Sequence, residues 1–422
     1  MNTHKKFNIG ILGCSTIAPF SIITPTKELD QFVTYAVASR DLDRSKAYAL
    51  KHHIPHVFES YDQLLESVDI DVVYIPLSNF QHKEWTLKAI EAHKHVLIEK
   101  PMALHADEVV LINERANEKG VHVLEALMVQ HHSWQQDITN MIATEKYGKL
   151  KKIRTRISFE ILQSNYSEDN YRFKPEYGGG CFIDECSYWL QFIQKAIGLK
   201  PQVMDGFSTF SGINQCDWTF NATLQYEDGV EVEFLGSFEM PNNATHWLEF
   251  EKANVRISGF FKPCYGDYKI VIQIENIEEG TTEKLVYSPQ NYYVNQLQFF
   301  AEVIRGERDN IPLSESFERI ATMNAIYEIA RNKHFQGLGR NNREQEIRNL
   351  LVQLSDSAPN LKNASEEADL RSYGMDSLLF IQFVVVLEEH FSIEVTPEFL
   401  DIDKLYSLKK WKEYIDSQDI VC

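Results

Sequence analysis

The sequence predicts a doubly wound α/β (Rossmann) domain, then an α+β domain with a large, mainly antiparallel sheet, then a small all-α four-helix unit. Three observations carry this. Over residues 7–130 short β-branched runs alternate with helical stretches, the rhythm of βαβ units on a parallel sheet. From Lys151 to about Tyr287 the period becomes two, with long alternating runs separated by turns at Gly229 and Gly280. Beyond Arg343 only helical periodicity remains.

In order, 7–12 reads as the first strand, followed by a glycine turn into a helix, and 32–38, 71–76 and 95–99 as further strands. Stretches 44–52 and 82–93 are helical. In the second region 152–159, 219–226, 230–238 and 269–277 read as strands, with one early helix at 182–197. Helices at 292–304 and 314–332 close that region. Gly337, Leu338, Gly339, Arg340, Asn341 and Asn342 then mark a break. The expected domains are therefore 1–130, 131–336 and 343–422, with a linker at 337–342.

A chain of 422 residues accommodates about two to four domains. Its 44% hydrophobic and 24% charged residues are ordinary for globular proteins, so disorder is excluded. The net charge of −19, without a basic cluster, argues against nucleic acid. No apolar run reaches the roughly 18 to 20 residues of a membrane span, and the run from Phe7 leads into a glycine turn instead of a cleavage site. Six cysteines (Cys14, Cys181, Cys186, Cys216, Cys264, Cys422) lie scattered, without C-x-x-C or zinc-type spacing. A soluble protein of the reducing cytoplasm, with no metal, is expected.

Gly10 and Gly13, followed by Cys14, Ser15, Thr16, Ile17 and Ala18, make a tight turn between strand and helix. Glycine lets backbone approach a pyrophosphate, and the helix N-terminus offers free N–H groups. The usual third glycine is Ser15 here. The second strand ends in Ser39 and Arg40, where an acid usually meets the ribose 2′-OH. A hydroxyl and a guanidinium suit a 2′-phosphate instead, so NADP(H) is expected over NAD(H). The competing reading pairs Arg40 with Asp41 or Asp43 on the surface.

Three more segments complete a pattern: Pro76, Asn79 and His82 after one strand; Glu99, Lys100 and Pro101 after the next; and Gly178, Gly179 and Gly180 before Asp184 and Tyr188. This set, in this order, resembles the Gfo/Idh/MocA family of oxidoreductases over roughly residues 7–335. The resemblance implies cofactor contacts from the glycine turn and from Ser39, Arg40, Arg44, Asn79, His82, Glu99 and Lys100. It also implies a catalytic set of Lys100, Asp184 and Tyr188. Asp184 and Tyr188, four apart on a helix, share one face. A tyrosine with an ordinary pKa near 10 needs a nearby cation to give up its proton, and Lys100 is the expected helper. The alternatives are a surface lysine and a core aromatic. Cys186, and the run Val129, Gln130 and His131 before His132, depart from the family pattern, which suggests a diverged substrate pocket.

Tyr373, Gly374, Met375, Asp376, Ser377 and Leu378 precede the apolar run 379–391, and residues 343–422 resemble acyl carrier proteins. Eight Lys and Arg stand against sixteen Asp and Glu there, a net of −8. The resemblance implies 4′-phosphopantetheine on Ser377, added by a phosphopantetheinyl transferase and charged by an acyl- or aminoacyl-loading enzyme. The alternative is that Asp376 and Ser377 only cap a helix. Fusion of the two parts suggests an oxidoreductase whose substrate is a thioester on its own carrier, in polyketide-like or nonribosomal-peptide-like secondary metabolism, and a homodimer as in several relatives. The other readings are a dehydrogenase of a free polyol, sugar or dihydrodiol, and a redox-inactive scaffold presenting a carrier.

Overall fold

The computed structural model describes residues 6–161, 170–353, 360–361, 364–391 and 393–418. The first part of the chain holds strands β1 (Phe7–Leu12), β2 (Phe32–Ala38), β3 (His56–Phe58), β4 (Val72–Ile75), β5 (His95–Ile98) and β6 (Val123–Glu125). All pair in parallel, in the order β3-β2-β1-β4-β5-β6. Helices α1 (Pro25–Glu28), α2 (Leu42–His52), α3 (Tyr61–Glu66), α4 (His82–Glu91) and α5 (Ala106–Lys119) connect them. The strands are apolar on both faces because helices cover both; β4 is fully buried along its length. Strand order reverses between β1 and β4, which opens the crevice where such sheets take ligands.

After α6 (Ser133–Ala143), an eight-stranded sheet runs β14-β13-β12-β11-β7-β10-β9-β8. Its strands are β7 (Leu150–Ser158), β8 (Val203–Ser208), β9 (Thr219–Gln225), β10 (Glu231–Ser237), β11 (Asn243–Phe250), β12 (Ala253–Ser258), β13 (Val271–Asn276) and β14 (Thr281–Val286). Only β7 and β10 pair in parallel. Alternating burial along β9 and β12 buries one face of the sheet, which meets α7 (Cys181–Ile197) at β7, β9 and β10, and leaves the other open. One apolar core joins this face to the inner face of the parallel sheet. Helix α8 (Tyr292–Ile304), expected to close the second region, instead lays Leu297, Phe300, Ala301 and Val303 on the core of the parallel sheet's other face.

Helix α9 spans Leu313–Gln353 and passes through 337–342, where the sequence suggests a break. Gly337 and Gly339 each cost a helix about 1 kcal/mol relative to alanine, but glycine keeps its N–H and no proline interrupts the ladder. The chain divides into compact units Met1–Ala330 and Arg331–Cys422. The second unit has its own core, in which Phe380, Phe383 and Leu387 of α10 (Ser377–Phe391) meet Trp411 and Ile415 of α11 (Leu408–Gln418). Short 3-10 turns at Leu370–Tyr373 and Pro397–Phe399 stand between these helices. Among the described residues no helix is long and apolar enough to cross a membrane. The five described cysteines are free thiols, and Cys422 lies outside the described residues.

Candidate active site and carrier serine

Gly13 sits at φ +96°, a left-handed conformation that side chains resist, and its N–H donates to the Ala38 carbonyl at 2.7 Å. This fixes the turn at the crevice. Ser15 Oγ accepts from the Ala18 N–H at 3.2 Å, and a π-helical turn, Pro19–Ile23, followed by the short α1, replaces the long helix expected there. Gly10 lies elsewhere: a Cβ on it would come 2.6 Å from Leu64 Cδ2, so it admits α3 against β1. Arg44 Nη2 donates to the Cys14 carbonyl at 3.2 Å and backs the turn.

Ser39 is buried, and its hydroxyl donates to the Asp41 carbonyl at 2.7 Å with Ser45 Oγ also at 2.7 Å, so it shapes the loop while still lining the hollow beside Arg40. Arg40 is exposed and, among the described residues, makes no ion pair. Asp41 caps α2 by accepting from the Arg44 N–H at 3.0 Å, while Asp43 faces Lys46 at 3.8 Å. Arg40 and Gly13 line a hollow of about 260 Å³. That hollow shares Cys14, Ser15, Arg44, Pro76, Leu77 and Ser78 with a cavity of about 760 Å³ that reaches Lys100, Asp184 and Tyr188. An elongated dinucleotide fits this geometry: a glycine turn at its middle, an unpaired guanidinium at one end and reactive side chains at the other.

The second cavity is built around Lys100, in the loop after β5. Its Nζ donates to Asp184 Oδ1 at 2.6 Å and to the Asp184 carbonyl at 2.5 Å. Arg172 Nε donates to Asp184 Oδ2 at 3.0 Å. Burial disfavours the Asp184 carboxylate, but Arg172 and Lys100 outweigh it and keep the group ionised well below the usual carboxylate range. Burial likewise works against the Lys100 ammonium, and Asp184 together with Tyr188 and Tyr171 outweighs it, which favours the charged lysine. Lys100 Nζ lies 5.2 Å from the centre of the Tyr188 ring, which packs edge-on against Phe261 at 4.7 Å. The pull of Lys100 on the Tyr188 hydroxyl is present but smaller than the effect of burial, and the phenol is pushed well above its ordinary value. Glu99, Cys264 and Asp184 add to the effect of burial on that hydroxyl.

Glu99, beside Lys100, accepts from Tyr74 Oη at 2.5 Å, and Tyr74 meets Ser21 Oγ at 2.7 Å. Burial raises the Glu99 carboxyl despite that hydrogen bond and the nearby lysine. Asn79 lines the cavity, yet its amide donates to the Gly178 carbonyl at 2.9 Å and ties the β4 loop to the segment before α7. His82 is fully buried, with Nδ1 2.7 Å from the Pro101 carbonyl and Nε2 3.1 Å from that of Leu77. It braces the Lys100 loop from behind and lies outside the cavity lining. Thr16 and Ile17 do line it.

Asp217 seats the N-terminus of α7: its carbonyl accepts from the Cys181 N–H at 2.9 Å and its Oδ2 from the Phe182 N–H at 2.7 Å. Gly180, at φ +108°, lets it in, since a Cβ there would fall 2.0 Å from Asp217 Oδ1. Sequence reasoning missed Arg172 and Asp217. Arg172 lies among the aromatics Tyr171, Phe173 and Tyr177 just ahead of the glycines, and the cations Arg172 and Lys174 in such a run are the signal that was available.

In the second unit Ser377 is exposed and opens α10. Asp376 Oδ1 accepts from the Leu379 N–H at 2.8 Å, capping the helix and leaving the serine hydroxyl outside. Leu378, Ile381 and Val385 form an exposed apolar stripe on the same helix.

Residues 7–127 match the oxidoreductase family, NAD-binding Rossmann fold; residues 136–257 the GFO/IDH/MocA C-terminal domain; and residues 346–414 the phosphopantetheine attachment site. The chain is 27% identical over 325 residues to the D-xylose 1-dehydrogenase (NADP(+)) 2 of Haloferax volcanii, covering 76% of this chain and 96% of that one. It is 30% identical over 246 residues to trans-1,2-dihydrobenzene-1,2-diol dehydrogenase of Sus scrofa, covering 58% and 70%. A 3-ketoreductase from Actinomadura kijaniata, solved with NADP and TDP-benzene, shares the fold at TM-score 0.70 and 21% identity, over 77% of this chain and 98% of that one. With a nicotinamide-dinucleotide crevice, the Lys100–Asp184–Tyr188 cavity and a separate unit built around an exposed helix-opening serine, this chain belongs to the Gfo/Idh/MocA oxidoreductase family and carries a phosphopantetheine attachment domain.

Proposed function

We propose that the chain is an NADP(H)-dependent reductase of a carbonyl or imine carbon held as a thioester on the phosphopantetheine of Ser377. The observation that carries the reading is Tyr188 on the cavity wall, its ring centre 5.2 Å from Lys100 Nζ, with the lysine held by Asp184, which Arg172 also engages. When bound, NADPH supplies the hydride to the reacting carbon and leaves as NADP+. Lys100 orients the substrate oxygen and favours the negative charge that develops on it. Tyr188 donates the proton, so a carbonyl becomes an alcohol, or an imine an amine. Asp184 positions Lys100 through two contacts, and His82 and Asn79 fix the loops on either side.

Arg40, unpaired at the end of the crevice, supports the 2′-phosphate preference, in keeping with relatives named as NADP(+) enzymes. Covalent attachment supports the tethered reading, because a short flexible link gives an effective concentration in the millimolar range. A phosphopantetheinyl transferase and an acyl- or aminoacyl-loading enzyme are then required partners, as in secondary-metabolite assembly. The open face of the eight-stranded sheet, with Trp247 beside a hollow of about 530 Å³, supports a dimer. Free thiols are in keeping with a cytoplasmic setting. The second reading, oxidation of a free sugar or dihydrodiol, is favoured by the names of the relatives. Intact mass of the protein from its own cells separates the two. Phosphopantetheine with a bound acyl group, absent from Ser377→Ala, supports tethering; a chain left unmodified after coenzyme A and a broad-specificity transferase contradicts it.

A further inference from the structure

We infer that the cavity selects a flat apolar group, aryl in the simplest case, next to the reacting carbonyl, and that Phe20 and Tyr265 clamp this group at the mouth. The inference rests on the reductive reading of the same site but not on the tether. The cavity that Lys100 lines also carries Phe159, Ile161, Phe238 and Phe261, with Tyr188 edge-on to Phe261. A polyol needs a polar partner for nearly every hydroxyl it buries. Of the two carboxylates in the lining, Asp184 is already engaged by Lys100 and Arg172 and Glu99 by Tyr74, and the Asn79 amide N–H is given to Gly178.

The mouth adds an independent observation. Phe20, 48% exposed, comes from the turn after the glycines, and Tyr265, 66% exposed, from the segment between β12 and β13. Their ring centres are 6.2 Å apart at an interplanar angle of 81°. Large aromatic surface left in water on both lips of a cavity suits a planar apolar guest, against which ring faces and edges can pack.

The test uses free N-acetylcysteamine thioesters on the full chain with NADPH, comparing benzoylacetyl with acetoacetyl, and D-xylose with NADP+ as the polyol. The expected kcat/KM is about tenfold higher for the benzoyl compound than for the acetyl one, the size of one good aromatic contact, with xylose below both. Phe20→Ala and Tyr265→Ala, both at exposed positions that tolerate truncation, should narrow the ratio at least about threefold through KM. Xylose turned over best, no turnover of either thioester, or a ratio that both variants leave unchanged overturns the inference. An aryl preference with free thioesters, alongside no turnover of a Ser377-bound acyl group, retains the inference and removes the tether.

Discussion

At the scale of single residues, the proposed chemistry depends on Tyr188, whose hydroxyl burial pushes up more than Lys100 pulls it down, standing beside the lysine that Asp184 holds in place. Tyr188→Phe should lower kcat by about 100-fold or more, with the dissociation constant for NADPH unchanged by fluorescence titration. An equal loss in cofactor binding would assign the tyrosine to binding instead. At the other end of the crevice Arg40 stands unpaired, so Arg40→Glu should raise KM for NADPH at least about tenfold while sparing NADH. An unchanged ratio of the two constants would remove the phosphate role. The grouping of Lys100, Asp184 and Tyr188 around one cavity was legible because each sits in a short motif whose spacing sets its place on a loop or helix face. Gly10 and His82 show the limit of that reasoning. Residue type suggested a ligand contact, but a leucine stands against the glycine and two carbonyls meet the imidazole. Arg172 was not legible because it reaches Asp184 from a non-repetitive segment, where no period fixes the direction of a side chain.

At the scale of elements, α7 carries Asp184 and Tyr188, and Asp217 fixes where that helix begins. Burial pushes the Asp217 carboxyl up to about 6, against the Phe182 N–H and the Cys181 thiol that favour its charge. An unfolded aspartate titrates near 3.9, so the folded chain binds the extra proton between these values. Stability from this group is greatest below about pH 4 and falls as pH rises through 6. Asp217→Asn keeps an acceptor for the helix and removes the titration. Its thermal stability should gain on the parent by about 3 kcal/mol between pH 4 and pH 7.5. A parallel pH profile for the two proteins would contradict this. The strands β7, β9, β10 and β13 were legible from their period of two, while the parallel pairing of β7 with β10 was not, since alternation says nothing of direction. The continuity of α9 was hidden by glycines, which weaken a helix without ending it.

At the scale of the molecule, two compact units with separate cores share one chain: an oxidoreductase and a carrier whose exposed serine opens an apolar-striped helix. The order of the parts was legible because composition and periodicity change at each junction. The packing of α8 on the parallel sheet was not, because a helix's apolar face does not say which neighbour it will cover. In the proposed function the substrate is reduced while bound to Ser377. The most direct measurement charges the phosphopantetheine of the full chain with benzoylacetyl and follows NADPH absorbance and the mass of the arm in a single turnover. One equivalent of NADPH lost, with a gain of two hydrogens on the arm and no such gain in Lys100→Ala, is the predicted result. An arm that stays unreduced, while the same enzyme reduces the free thioester, would contradict it.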